Sequence, residues 1–508
     1  MLFRILVLFA LAGFVRAAVA QDEPPLPPGV ESDSGGGESD EPPLPPGVGT
    51  DNPGGDEPAL PPGVEGAEDG DEGDDTGEPT LPPGIEEPAD ETGPETAEGE
   101  IFELPFTLNG FFDMRGGFRT GNDRWQDDMA LGETRLQIEA EKMWQRASLN
   151  VTVDFLYDGL YETHRIDLER GTGWRDLRRA VFSATPVDFM DVKVGRQILT
   201  WGTGDLIFVN DMFPKDWTSF FIGRDVEYLK APSDAVKMSF FTDMVNADIV
   251  YTPAFDADRF ISGRRVSFWN DNLGRHHGRQ DDFRLDTRTD WFTEDEIALR
   301  LFRTFTEGPL SGWEAAVYGY NGYWKSPAGF DPVRRRFTFP GLVVYGTSLR
   351  GKVGPGIGNV ELGYYDSRDD RAGDNPLIRN SEMRYLVGYE QELATKFTGG
   401  IQYYVERMMD YDDYTRTLPR GAPQQDRARH WVTVRLTKQL MQDDLTLSLF
   451  SFYSPNEDDA YLRPKLSYKF SDRWTGEVGG NVFFGEDPFT FFGQFEDASN
   501  VYMSLRYS

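Results

Sequence analysis

The chain has 508 residues, 39% of them hydrophobic and 27% charged, and no cysteine, which excludes disulfides, thiolate metal sites and a cysteine nucleophile. A mean hydropathy of −0.52 excludes a polytopic helical membrane protein. With 86 Asp and Glu against 51 Lys and Arg the formal charge is −35, which leaves no clustered basic excess for a phosphate backbone and therefore no nucleic-acid partner.

Residues 1–20 read as a secretory signal peptide: Arg4 supplies the charged start, Ile5 to Val15 the apolar run, and Ala18-Val19-Ala20 a cleavage motif before Gln21. Residues 21–100 carry 25 acids, no base and no aromatic residue, and hold 17 of the 33 prolines. Such a segment cannot bury enough apolar surface to offset the entropy of ordering it, so disorder is expected. Within it a Glu-Pro-x-Leu-Pro-Pro-Gly unit recurs four times, starting at Glu23, Glu41, Glu57 and Glu78. Starts 18, 16 and 21 residues apart are too irregular for a stacked solenoid. The composition favours a self-repelling periplasmic spacer; the alternative is that each short polyproline II stretch docks on an aromatic groove of a periplasmic partner. Acidic clusters such as Asp69 to Asp75 lack the spacing and closing Glu of a calcium loop, and neither a metal nor a cofactor is expected.

Residues 101–508 contain 66 of the 69 aromatic residues, and apolar side chains recur there at every second position. Leu136, Ile138 and Ala140 alternate with Arg135, Gln137 and Glu139; Leu445, Leu447 and Leu449 alternate with Thr446 and Ser448. Period two marks strands with one apolar and one polar face. Because basic residues occupy the polar faces, as Arg463 and Lys465 do beside Leu462 and Leu466, and because eighteen such segments follow one another, the expected fold is all-β. It is a closed antiparallel transmembrane β-barrel of about 18 strands, apolar outside and wet inside. Tight connections at Met143 to Arg146, Thr185 to Val187, Gly354 to Gly356 and Met441 to Asp444 alternate with long polar loops, notably 202–233 and 255–293. Short turns belong on the periplasmic rim, and an even strand count returns both barrel ends to it.

The segment from Val194 to Phe221 stands out. Val192 and Val194 face lipid by parity, and strict alternation would send Arg196 there too, so a bulge at Gly195 is expected to give Arg196 and Gln197 better surroundings. Trp201 falls at the level of the outer aromatic girdle, and Asp205, Asp211, Lys215, Asp216 and Arg224 make a charged loop. In a barrel this wide one loop must fold inward, and this one is the candidate constriction.

Gly195-Arg196-Gln197, followed by Trp201-Gly202 and by Asp211 with Pro214-Lys215-Asp216, resembles a stretch of the alginate-export-type porins and related outer-membrane barrel families. The resemblance spans roughly residues 175–255, a fifth of the body. It implies an eighteen-stranded barrel that lets an anionic polysaccharide or a small anionic solute diffuse; the acidic repeats are not part of the pattern.

Parity assigns Arg135, Arg179, Arg300, Arg350, Lys352, Arg384, Arg435, Arg463, Lys465 and Arg506 to the lumen, with Glu139, Asp154, Glu361, Glu406 and Glu477 among the acids. A ladder of bases lowers the barrier for an anion, unless cross-strand pairing cancels it. Four histidines, at 164, 276, 277 and 430, place no base beside a nucleophile, so an enzyme is not expected. Adjacent His276 and His277 make a poor metal pair and read as an exposed loop. The leading expectation is a passive outer-membrane channel, with outer-membrane lipid and the barrel-assembly machinery as partners. The alternative is an outer-membrane scaffold whose barrel anchors the periplasmic acidic arm.

Overall fold

A computed structural model of the chain describes residues 105–508 except 161–165, 168–171, 272, 287 and 289. The expected leader and acidic repeats lie outside the described residues. Eighteen strands make one antiparallel sheet: β1 Thr107–Arg119, β2 Met129–Trp144, β3 Ala147–Asp158, β4 Arg175–Val187, β5 Met190–Ile198, β6 Pro232–Phe240, β7 Asn246–Thr252, β8 Glu296–Thr304 and β9 Glu314–Tyr323. The circuit continues with β10 Gly341–Val353, β11 Gly356–Ser367, β12 Glu382–Ala394, β13 Phe397–Met408, β14 Ala428–Leu440, β15 Leu445–Ser454, β16 Asp459–Lys469, β17 Trp474–Phe484 and β18 Asn500–Tyr507. All eighteen expected strands are present.

β1 pairs with both β2 and β18, so the sheet closes and no strand edge is left unbonded, as an apolar solvent requires. Each strand puts apolar side chains outward. On β1 the exposed Leu108, Met114 and Phe118 alternate with the buried Asp113 and Arg115, and on β18 Met503 is 64% exposed beside Tyr502 at 6%. Apolar outside and polar inside inverts a soluble barrel and gives the exterior a lipid-facing band. Turns such as 145–146, 354–355 and 395–396 lie on one rim with both barrel ends; long connections such as 199–231 and 253–295 lie on the other.

Three local expectations are corrected. The bulge foreseen at Gly195 does not occur: β5 pairs through it without a slip on both sides, and Gly195 takes φ +120° instead. The bulges nearest to it lie in β4, where Arg178 is the extra residue between Leu177 and Arg179. There too the ladder slips between Ala184 and Val187, because Pro186 has no N–H to give it, so the turn is 188–189 rather than 185–187. Trp201 is not in a lipid girdle. It is 8% exposed and packs inside against Phe213 and Tyr318, with ring centroids 4.9 and 6.0 Å away.

The interior holds two apolar clusters. One joins Leu199, Trp201, Met212 and Phe213 to wall residues Ala235, Val250, Tyr318, Tyr320 and Tyr365. The other joins Phe220, Phe221, Ile222 and Leu229 to Leu386, Tyr404, Trp431, Phe452, Tyr461, Phe483 and Tyr502 on β12 to β18. Phe492 and Phe495, from the connection between β17 and β18, and Val266, from the 253–295 connection, complete the second cluster, so more than one loop turns inward where the sequence suggested one.

Candidate functional site

The 199–231 loop crosses the lumen and is fastened at its neck, its helix and its exit. At the neck, Gly202 and Gly204 let the chain turn beneath Glu361, a 1%-exposed wall residue of β11. The Glu361 carboxylate accepts from the Thr203 amide, from Thr203 Oγ1 (2.9 Å), Gly204 N (2.8 Å), Asn210 N (3.2 Å) and Asn210 Nδ2 (2.8 Å). Buried donors left without an acceptor are costly, so one carboxylate fixes the neck. Beside it Asp205 takes a bidentate bond from Arg435 on β14, with Nη2 to Oδ1 at 2.6 Å.

A short helix, α1 (Trp217–Ile222), carries the loop's aromatic residues. Asp216 is its N-cap, accepting from Ser219 N at 2.7 Å, and Gly223 ends it at φ +95°. A side chain at Gly223 would meet Tyr502 Cδ1 at 2.3 Å, so the left-handed glycine also seats the helix against the wall. Phe220 and Phe221 pack on Tyr461 at 5.7 and 5.5 Å, Tyr461 donates to the Phe220 carbonyl, and Arg463 lies 4.1 Å over the Phe220 ring.

The exit is electrostatic. Arg224 bonds Glu133 of β2, with Nε to Oε2 at 2.9 Å. Asp225 accepts from Arg115 of β1 at 2.7 Å and from Arg506 of β18. Tyr228 sits between the guanidinium groups of Arg135 and Arg178, at 4.1 and 4.7 Å from its centroid. Burial alone would raise the Asp225 carboxyl, but Arg115 and Arg506 outweigh it and hold it below the usual carboxylate range.

Of the seven residues assigned to a constriction, Asp205 borders open space, Asp211, Lys215, Asp216 and Arg224 secure the loop, and Arg196 and Gln197 pair within the barrel wall. Asp211 and Lys215 form a buried pair at 2.9 Å, Asp216 caps α1 and Arg224 ties the exit. Arg196 meets Asp234 across the β5–β6 ladder at 2.9 and 2.8 Å, and Gln197 donates to the Ala235 carbonyl at 3.0 Å. Arg196, 5% exposed, is thus shielded from lipid by its partners. The 253–295 connection lies over the same loop, with Asp258 accepting from Lys215 N at 2.7 Å and Arg259 bidentate to Asp176 of β4. His277, expected to be exposed, is 2% exposed and stacks on Phe268 at 5.1 Å.

The ten bases assigned to the lumen divide by what they touch. Arg135 pairs with Asp154, Arg179 with Glu139 (3.9 Å), Arg300 with Glu314 (2.6 Å), Arg384 with Glu382 (2.8 Å), Arg435 with Asp205, Lys465 with Glu477 (3.0 Å) and Arg506 with Asp113 (3.2 Å). Arg350, Lys352 and Arg463 have no ion-pair partner among the described residues. Between the loop neck and β10 to β14 a polar recess remains, bordered by Asp205, Arg350, Asn359, Glu390, Gln402 and Arg435. Arg350, Asn359 and Glu390 lie within a few residues of the strand ends on the short-turn rim, so the recess sits in that half of the lumen. Asp225, Arg115 and Glu390 were not singled out from sequence, and Glu361 only as one of the lumen acids, because what distinguishes them is the contact or the gap a distant segment leaves.

No family profile and no curated protein matches the chain. Among solved structures, OccAB4 of Acinetobacter baumannii is similar at 10% identity, covering 79% of this chain and 97% of its own, with a TM-score of 0.46. A loop-deletion mutant of OmpT, an outer membrane protein of Vibrio cholerae, is similar at 13% identity, 80% and 99% coverage and a TM-score of 0.37. A triple mutant of the porin of Rhodopseudomonas blastica is similar at 10% identity, 79% and 99% coverage and a TM-score of 0.35.

Proposed function

We propose that the chain is an outer-membrane, porin-like channel through which small polar solutes diffuse passively, past the inward 199–231 loop. The observation that carries this reading is the pairing of a lipid-facing exterior with a charged lumen in which a polar recess stays open beside that loop. A barrel serving only as an anchor needs no such charged surface inside. Three unpaired bases, Arg350, Lys352 and Arg463, support a preference for anions, in line with the alginate-export-type resemblance; the other seven are locally neutralised and support only a mild one. The short-turn rim, with both barrel ends, faces the periplasm, where residues 21–100 serve as a spacer.

The second reading, a scaffold that anchors the acidic arm, is favoured by the two aromatic clusters that occupy much of the lumen. Purified full-length protein in a planar bilayer separates the two. The channel reading expects discrete single-channel steps and, in a salt gradient, a reversal potential displaced towards the anion. Absence of steps at any voltage would leave the scaffold.

A further inference from the structure

We infer that the recess beside the loop neck is a binding subsite for a short linear zwitterion, of the size and charge pattern of a tripeptide. The inference deepens the channel reading above and takes the recess as part of its solute path.

Charge pairing in this lumen is thorough: seven of the ten assigned bases reach a carboxylate within 4.0 Å. Arg350 and Glu390 break the rule together. Both border the recess and both are half-buried, yet among the described residues neither side chain has a hydrogen bond or an ion pair. They act on each other through space without a direct bond, as β11 runs between their strands: Arg350 stands opposite Asn359, and Glu390 stands opposite Ile357, two residues further along. Two strand spacings and that offset put their backbones roughly 12 Å apart.

An opposed, unsatisfied pair across a polar gap is complementary to a solute with its own opposite charges at the same separation. Three extended residues span about 10 Å, so a tripeptide places its carboxylate at Arg350 and its ammonium at Glu390, with the side chains contributing the remaining reach. Asn359 lies between them on β11 and Gln402 beyond Glu390 on β13, and both border the recess. Each already spends its amide N–H groups: Asn359 Nδ2 donates to the Thr203 carbonyl and Oγ1 at 2.9 and 3.1 Å, and Gln402 Nε2 donates to the Asp205 carbonyl and Thr433 Oγ1 at 2.8 and 2.9 Å while its Oε1 accepts from Asp205 N at 2.7 Å, so what they offer a solute is amide oxygen. The loop neck therefore forms one wall of the subsite and orients its polar floor. A purely anionic solute satisfies Arg350 and faces Glu390 and Asp205 unfavourably; a purely cationic one does the reverse.

The test is calorimetric titration of the full-length protein in detergent with triglycine, N-acetyl-triglycine and triglycinamide, beside bilayer recordings of the same preparation. Triglycine is expected to bind saturably, and removing either terminal charge, or making R350Q or E390Q, is expected to weaken binding at least tenfold. The exchange R350E/E390R is expected to regain binding, since the peptide can lie the other way round; loss in both single variants without that rescue would reduce them to damage of the wall and overturn the subsite. Equal binding of the capped peptides, or unaltered binding in R350Q and E390Q, would overturn it as well. Ion conduction without triglycine binding removes the subsite and keeps the channel, whereas binding without conduction removes the channel and keeps the subsite.

Discussion

Glu361 and Asp225 hold the inward loop by charge-assisted bonds, and each can be weakened by one atom. Glu361→Gln replaces one accepting oxygen with a donating amide, which meets either the N–H groups of Thr203 and Gly204 or those of Asn210, so the neck should lose about 2–4 kcal/mol. The expected outcome is a folded barrel with larger and noisier single-channel currents; a wild-type trace would mean that the neck does not control the pore. Asp225 adds a pH dependence with a definite sign. Because its carboxyl is held below the usual range, its contribution to docking is complete above the unfolded value of about 3.9 and is lost as pH falls through the lower folded value. Conductance is therefore expected to stay level from neutrality to about pH 4 and to rise below it, and Asp225→Asn should show the raised conductance already at neutral pH. Both acids were visible in the sequence as members of an acidic population. Their roles were not, since Glu361 is 158 positions from Thr203, and parity reports which face a residue occupies but never which distant segment meets it there.

The strands are the elements that period two makes legible, and each apolar alternation in 101–508 became one of them. The 199–231 loop was legible as a candidate for inward folding because its aromatic residues had no strand face to occupy; the same signal at Phe489, Phe491, Phe492 and Phe495 was passed over, and that connection also turns inward. Its anchor is Phe492, 2% exposed, whose amide donates to Asp459 at 2.6 Å and whose ring lies 5.6 Å from both Tyr461 and Trp431. Phe492→Ala should cost about 3–5 kcal/mol of urea-unfolding stability, as for other buried phenylalanines, with strand content by circular dichroism unchanged. The two loops are also separable. Replacing residues 206–221 by a short Gly-Ser linker removes α1 and is expected to raise conductance several-fold, because the loop crosses the lumen; the same change would leave conductance alone if the loop only covered the outer rim. The bulge expected at Gly195 and not found has a comparable origin: alternation locates a conflict at Arg196, but whether a ladder slip or an acid on the next strand relieves it depends on Asp234, which alternation does not pair.

At the scale of the whole barrel the sign of the lumen field decides what passes, and that sign is not the count of bases. A base within about 4 Å of a carboxylate presents a dipole to a permeating ion, which falls off faster than a charge and is screened further by salt. Arg350 and Lys352 are unpaired on adjacent inward positions of β10, in the half of the lumen nearer the short turns, so they act as charges. Replacing both by Gln should leave the barrel folded, since neutral polar groups are tolerated on a wet face, and should shift the reversal potential in a salt gradient towards cations. Removing a matched pair, Arg435→Gln with Asp205→Asn, takes away the same number of charged groups yet should leave the reversal potential near the wild-type value, because the net charge at that level does not change. The contrast also tests register, as a one-residue slip would put Arg350 and Lys352 in lipid, where neutralising them would raise urea-unfolding stability and leave selectivity untouched. An equal shift in both double variants would mean that the interior ion pairs are open to solvent and that the base count, after all, sets the field.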